Sequence, residues 1–251
     1  MAEIFDVFRI ESVINFAAES HVDNSIKDCM PFVSTNIIGT INLLELSVKH
    51  GVKRFVQIST DEVFGSIDSG TFTEQSQIQP RNPYSASKAS AEHFVNAFAN
   101  TYKLDTIIIN SSNNYGPHQH DEKLIPLTIK RLLNGEKVPL YGNGMQVRDW
   151  LFVEDSCKAI LKIVEEGKTG ERYCIGGGDE ITNQKLVKTI IDLMGCSWDS
   201  VEFILDRPGH DVRYATSIRK VVNELGWVPS TSLVDGLTKT IQWVKDNEDR
   251  V

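Results

Sequence analysis

The sequence predicts an α/β protein: a doubly wound parallel sheet clothed in helices, followed by a smaller mixed α/β lobe. Three observations predict it. Short, uncharged, β-branched runs alternate with helical stretches as far as about residue 111. Such runs mark strands buried on both faces, and the alternation marks βαβ units. Beyond about residue 115 the rhythm breaks into turn-rich segments and amphipathic helices. Finally, a hydroxyl and two carboxyls gather where one apolar run ends, which is where parallel sheets place their ligands.

The elements follow in order. Residues 3–10, EIFDVFRI, read as the end of an amphipathic helix, and the VINF core of SVINFAAES as a strand near 12–17. Residues 31–50 carry Ile37, Ile38, Ile41, Leu44 and Val48 in a helical pattern, closed by Gly51 as a cap. RFVQIS is a strand near 54–59. Residues 83–103 form a helix with Pro83 in its first turn, where a missing N–H costs nothing. DTIIIN is a third strand, near 105–111, and NNYGPHQH is a loop. KLIPLTIKRLLNG then reads as a helix, and KVPLYGNGMQVRDWLFVED as turns with one or two short strands. VEDSCKAILKIVEEG, TNQKLVKTIIDLMG, SIRKVVNELGW and SLVDGLTKTIQWVKDN read as helices, the last two with a serine near the start. The expected division is a domain over 1–119 and a second lobe over 120–251, partly interleaved with the sheet.

Composition narrows the function. The net charge is −8, the isoelectric point about 5.3, and no long Lys/Arg run occurs. That argues against a nucleic-acid surface or a polybasic membrane patch, though a local basic pocket for a phosphate remains compatible with it. Glu3, Asp6, Arg9 and Glu11 exclude a signal-peptide core in the first dozen residues, and no apolar run reaches the ~18 residues of a membrane span. A cytoplasmic location is expected. Cys29, Cys157, Cys174 and Cys196 are widely spaced and read as small buried hydrophobes in a reducing compartment. His118 and His120 have the spacing of a metal pair but no patterned acidic or cysteine partner, so they read as loop residues and no metal is expected. Gly176–Gly178 lacks the spacing of a dinucleotide fingerprint and reads as a loop after a strand.

Tyr84 and Lys88, four residues apart, share one helix face. A free phenol, with a pKa of about 10, is a poor base at neutral pH. A nearby ammonium favours the phenolate, and the tyrosine can then take a proton from a sugar hydroxyl. Alone the pattern is cheap and equally suits a plain surface helix. Its context is sharper, because Thr60, Asp61 and Glu62 close the strand RFVQIS just before that helix. The bland alternative for the three is a solvated turn with a capping hydroxyl or carboxylate.

These residues carry a resemblance. The chain resembles the extended short-chain dehydrogenase/reductases, and within them the dTDP-glucose 4,6-dehydratases. The resemblance spans essentially the whole chain, through FAAESHVDNSI, TNIIGTINLLE, STDEVFG, YSASK, SSNNYGPHQHDEKLIP, VRDWLFVED, YCIGGGDEITN and DRPGHDVRY. It implies a Rossmann-like, NAD-binding sheet, a nucleotide-sugar substrate (dTDP-glucose) and a homodimer formed through the helices at about 31–50 and 83–103. It also implies the chemistry. Tyr84 would take the C4 hydroxyl proton as hydride passes to NAD, and Thr60 would hydrogen-bond the C4 oxygen. Glu62 would abstract the C5 proton, and protonated Asp61 would donate to the departing C6 hydroxyl before hydride returns to C6. Close like charges push pKa values apart, which suits two carboxyls with opposite tasks.

Carried over by resemblance, Ala17, Ala18, Ser20, Thr35, Tyr84, Lys88 and Asn114 would touch the cofactor. His21, Thr60, Asn113, Lys123, Leu124, Pro139, Leu140, Tyr141, Arg148, Asn183, Asp206, Arg207 and His210 would line the sugar-nucleotide pocket. Arg148 and Arg207 suit a diphosphate, which favours a planar guanidinium fork. The family opens with a strand and a G-x-x-G-x-x-G turn for the dinucleotide pyrophosphate. Nothing of that kind precedes residue 16. The expectation is an N-terminally truncated sheet and weak NAD binding. Two alternatives stay open: an epimerase or decarboxylase of another nucleotide sugar, against which Asp61 beside Glu62 argues, and a catalytically inactive remnant.

Overall fold

In the computed structural model, residues 1–178 and 180–247 are described. A short helix α1 (Ala2–Val7) leads into β1 (Ser12–Asn15). After α2 (Val22–Lys27), α3 (Met30–Phe32) continues through a π turn (Val33–Ile38) into α4 (Gly39–Lys49). β2 (Arg54–Thr60) ends in a 3-10 turn (Asp61–Phe64), and α5 (Pro83–Tyr102) carries the chain to β3 (Thr106–Ser111). Then come β4 (Asn113–Tyr115), α6 (Leu124–Leu133), β5 (Val138–Tyr141), β6 (Val147–Phe152) and α7 (Val153–Glu166). The remainder is β7 (Arg172–Ile175), β8 (Glu180–Thr182), α8 (Asn183–Met194), β9 (Val201–Ile204), α9 (Arg219–Leu225) and α10 (Leu233–Asp246).

The main sheet has the order β1-β2-β3-β7, and every pairing in it is parallel. The three predicted strands stand in it side by side. β3 is buried at every residue, as expected of a strand covered on both faces. On one face Leu44 of α4 and Val95 of α5 pack on Phe55 and Ile108. On the other, Ala159, Ile160 and Ile163 of α7 and Val221 and Leu225 of α9 pack on Val56, Ile107, Ile109 and Tyr173. The result is three layers. β7, α7 and α9 all come from beyond residue 120, so the sheet draws on both sides of the boundary expected at 119/120. A separate core forms where α6, α8 and α10 meet β5 and β6, through Ile125, Ile129, Val138, Leu186, Ile190 and Leu237.

Two expectations need correction. The segment 31–50 is not one regular α-helix. Within it, the Thr40 hydroxyl donates to the Asn36 carbonyl at 2.7 Å. The buried Asn36 side chain meanwhile bonds Glu19 at both backbone groups and donates to Ser87 Oγ at 2.8 Å. These polar ties accompany the widened turn, as side-chain competition for the backbone does elsewhere. The cysteines, too, are not uniformly buried. Only Cys174 is, while Cys29 and Cys157 are exposed and Cys196 is intermediate.

Local chemistry fixes the two elements that matter most. The Asn82 side chain accepts from Ser85 N at 2.8 Å, and Ser85 Oγ accepts from Asn82 N at 3.2 Å. This reciprocal cap starts α5 directly before Tyr84. The turn after β2 closes at Gly65, whose φ is +87° and where a Cβ would lie 2.6 Å from the Gln79 carbonyl oxygen. Only glycine fits that approach. Among the described residues no helix is long and apolar enough to cross a membrane.

Candidate active site

β2 delivers Thr60, Asp61 and Glu62 to the carboxyl end of the sheet. Thr60 caps the 3-10 turn, its Oγ1 accepting from Glu62 N at 3.2 Å. Asp61 is 2% exposed. Its Oδ1 lies 3.3 Å from the Thr60 hydroxyl, and its Oδ2 is buried with no hydrogen-bond partner among the described residues. Burial, then the neighbouring Glu62 and Asp149, hold its pKa well above the usual carboxylate range.

Glu62 lies beside it in different company. It accepts from Asn82 Nδ2 at 3.4 Å and from the Tyr214 hydroxyl at 3.3 Å. Burial raises its pKa as well, but Arg148, Arg207 and the Asn82 amide all oppose the rise. The turn thus sets side by side two carboxyls with raised pKa values, only the second of which has two guanidiniums and an amide opposing the rise.

The Tyr84 phenol is hydrogen-bonded to the Thr60 side chain and lies within the field of Glu62 and Asp61. Here the expected electrostatics need correction. Burial and Glu62 push the Tyr84 pKa up rather than down. Lys88 aims its ammonium elsewhere, donating to the Ile58 carbonyl at 2.7 Å. Lys88 is itself 5% exposed, and burial draws its pKa down to about 8 against the opposing charge of Glu92. One shared helix face is not enough to pair the two, because a closer acceptor takes the ammonium.

A cavity of about 400 Å³ opens beside Glu62. Ser20 and His21 reach it from the loop after β1, and Asn113 and Asn114 from β4. Lys123 and Leu124 enter at the start of α6, and Pro139, Leu140 and Tyr141 from β5. Arg148, Asn183, Arg207 and His210 complete the predicted set around it. Thr60 and Asp206 lie outside this lining. Thr60 turns to Tyr84, while Asp206 holds His210 Nδ1 at 2.6 Å and accepts from Gln146 Nε2 at 3.0 Å. Ala17 and Ala18, in the exit loop of β1, and Thr35, in the π turn, are also outside it.

Cross-lobe bonds hold the cavity together. Tyr141 donates to Asp23 Oδ2 at 2.9 Å, Arg207 pairs with Asp23 Oδ1 at 3.4 Å, and Lys123 Nζ donates to Ser20 O at 2.7 Å. The buried Arg148 guanidinium donates to the Asp211 carbonyl at 2.9 Å and sits 4.1 Å from the centre of the Tyr214 ring. Sequence reasoning missed Asp23, Asn82, Asp211 and Tyr214 as site residues. Asn82 had a readable signal, an asparagine directly before a helix-opening proline. Tyr214, whose hydroxyl also meets Asp211 Oδ2 at 2.5 Å, had none beyond its place in DRPGHDVRY.

The sheet end fits the reactive end of a nicotinamide cofactor. The Ser59 hydroxyl is buried without a hydrogen-bond partner among the described residues. The Lys88 ammonium bonds to a single carbonyl and carries three donors.

Comparison with known proteins separates the remaining possibilities. The family model described as GDP-mannose 4,6 dehydratase matches residues 1–240. The dTDP-glucose 4,6-dehydratase of Neisseria meningitidis serogroup B is 48% identical, over 98% of this chain and 75% of its own length. The crystal structure of the dTDP-glucose 4,6-dehydratase DesIV of Streptomyces venezuelae, with NAD and TYD bound, superposes with a TM-score of 0.97 at 45% identity. That match covers 99% of this chain and 78% of the other. The chain belongs to the dTDP-glucose 4,6-dehydratases. A UDP-glucuronic acid 4-epimerase of Bacillus cereus shares the fold at TM-score 0.92 with 27% identity, over 98% of this chain and 78% of that one. The fold is therefore common to dehydratase and epimerase, and the distinction lies in the site.

The isolated carboxyl of Asp61 makes a stability prediction. A carboxyl whose folded pKa is raised contributes stability below its unfolded pKa and loses it as pH rises through the folded value. Asp61→Asn should therefore stabilise the protein by roughly 1–3 kcal/mol on the alkaline side, the scale of one unsatisfied buried group. The gain should vanish toward acid pH. Urea unfolding across that range checks this, and a gain independent of pH would contradict it.

Proposed function

We infer that this protein converts dTDP-glucose to its 4-keto-6-deoxy product, as a lyase with NAD as cofactor. The observation that carries this reading is the pair Asp61 and Glu62, adjacent on one turn, with the pKa of Asp61 raised well above the carboxylate range and the rise at Glu62 opposed by Arg148, Arg207 and Asn82. An epimerase has no water to expel and no use for such a pair.

The chain's own residues divide the work. Ala17, Ala18, Ser20, Thr35, Tyr84, Lys88 and Asn114 would hold NAD, which when bound supplies a reversible store for hydride. Arg148 and Arg207 would grip the diphosphate, with Asn113, Lys123, Leu124, Asn183 and His210 around the nucleotide and His21 and Tyr141 at the cavity wall. Thr60 and Tyr84 hold the sugar's C4 oxygen, and Tyr84 moves its proton. Glu62 takes the C5 proton. Asp61 gives its proton to the C6 hydroxyl, which leaves as water, so the C5–H and C6–O bonds break and a C5–C6 double bond forms. A domain of residues 1–119 would carry the catalytic groups and 120–251 most of the substrate wall. Four free thiols are compatible with a cytoplasmic setting.

Incubation with dTDP-glucose and NAD should yield a product with the base-induced absorbance of a 4-keto-6-deoxy sugar. Glu62→Gln should lower its rate of formation by about 10²–10⁴-fold, the span of general acid–base catalysis. Calorimetric affinity for dTDP should stay near wild type in that variant. Wild-type turnover in Glu62→Gln would overturn the assignment.

The same reading includes a homodimer through the helical segments at about 31–50 and 83–103. In support, Ile38 is 50% exposed and Phe94 39% exposed on those adjacent segments. Sedimentation should give a dimer at micromolar concentration and a monomer for Phe94→Asp. A monomeric wild type would contradict the interface.

A further inference from the structure

Directly behind the catalytic turn lies a buried charge network that the chemistry above does not use. The Glu92 carboxylate is fully buried on α5, four residues after Lys88. Its Oε2 pairs with Arg172 Nη2 at 2.7 Å, and its Oε1 accepts from Asn110 Nδ2 at 2.8 Å. Arg172 Nη1 donates to Asn110 Oδ1 at 2.8 Å, which closes a ring of three side chains from α5, β3 and β7. Asn110 has one further amide hydrogen, and it goes to the Thr60 carbonyl at 2.8 Å. Arg172 also lies 5.6 Å from the centre of the Phe64 ring. The ring of charges thus grips the catalytic turn at both ends, at Thr60 and at Phe64.

We propose that Glu92, Asn110 and Arg172 form a positioning network that fixes the Asp61–Phe64 turn against α5 and supplies the counter-charge for the Lys88 ammonium. A buried ion pair is a poor way to add stability, since desolvation offsets most of the attraction. A good reason to keep one here is the placement it enforces. Lys88 and Glu92 share a helix face at the i,i+4 spacing. The elements packed against α5 carry Arg54 on β2, Asp61 and Glu62 on the turn, Asp23 and Lys27 on α2, and Glu45 and Lys49 on α4. Burial draws the Lys88 pKa down, and the Glu92 charge one turn away opposes that fall and favours the protonated ammonium. The network's role in turnover rests on the dehydratase reading; its hold on Lys88 does not.

The test is the titration of Lys88, followed by NMR of protein labelled with ¹³C-lysine, the signal being assigned by its loss in Lys88→Met. Glu92→Gln should lower the Lys88 midpoint by about 1 pH unit, the low end of the effect of one close opposite charge. Glu92→Asp, which keeps the charge, should restore most of it. If Glu92→Gln leaves Arg172 buried and unpaired and does not fold, the double variant Glu92→Gln/Arg172→Gln removes both charges, and its midpoint should fall by less, because the lost Arg172 cation acts in the opposite sense. An unchanged midpoint in a folded charge-removed variant overturns the proposal. Calorimetry with dTDP runs alongside: a wild-type chain that fails to bind it overturns the dehydratase reading and leaves the Lys88 result standing.

Discussion

Two carboxyls placed side by side at the end of a buried strand cannot both ionise cheaply, and the rest of the site follows from how that conflict is resolved. Asp61 is turned into the protein, where one oxygen meets the Thr60 hydroxyl and the other meets no donor among the described residues. Glu62 faces the cavity, where Asn82, Tyr214 and two guanidiniums wait for a negative charge. Burial raises both pKa values, and the two guanidiniums and the Asn82 amide oppose the rise at Glu62, while Arg148 and the Thr60 hydroxyl oppose it at Asp61. The difference is one of neighbours, not of residue type.

The charge that faces Glu62 comes from the far half of the chain. Arg148 and Arg207 stand on β6 and in the loop after β9, far along the chain from Glu62. They reach it because β7 returns to the main sheet and the lobes are tied by Tyr141–Asp23, Arg207–Asp23 and Lys123–Ser20. The same return brings Arg172 beneath the catalytic turn, where it meets Glu92.

Much of this was legible in the sequence, for identifiable reasons. The strands at 12–15, 54–60 and 106–111 announce themselves because burial on both faces demands continuous apolar runs. Gly51 and Pro83 mark helix ends because backbone geometry leaves few other residues for those places. Tyr84, Asp61 and Glu62 could be singled out because motif and topology agree on one strand end. What the sequence hid is set by long-range contact. The π turn at Val33–Ile38 accompanies Asn36 reaching Glu19 and Ser87, partners that local pattern does not name. The direction of Lys88 depends on the Ile58 carbonyl, and the role of Tyr214 on a residue 152 positions earlier. Helix periodicity gave Tyr84 and Lys88 a common face, but periodicity carries no information about which acceptor lies nearest.

The most direct measurement is the protonation state of Asp61 itself. Infrared difference spectra of ¹³C-aspartate-labelled protein at neutral pH should contain a protonated carboxyl band. That band should disappear in Asp61→Asn and persist in Glu62→Gln. A neutral-pH spectrum in which every aspartate is ionised would contradict the account, because Asp61 would then have no proton to give to a leaving hydroxyl.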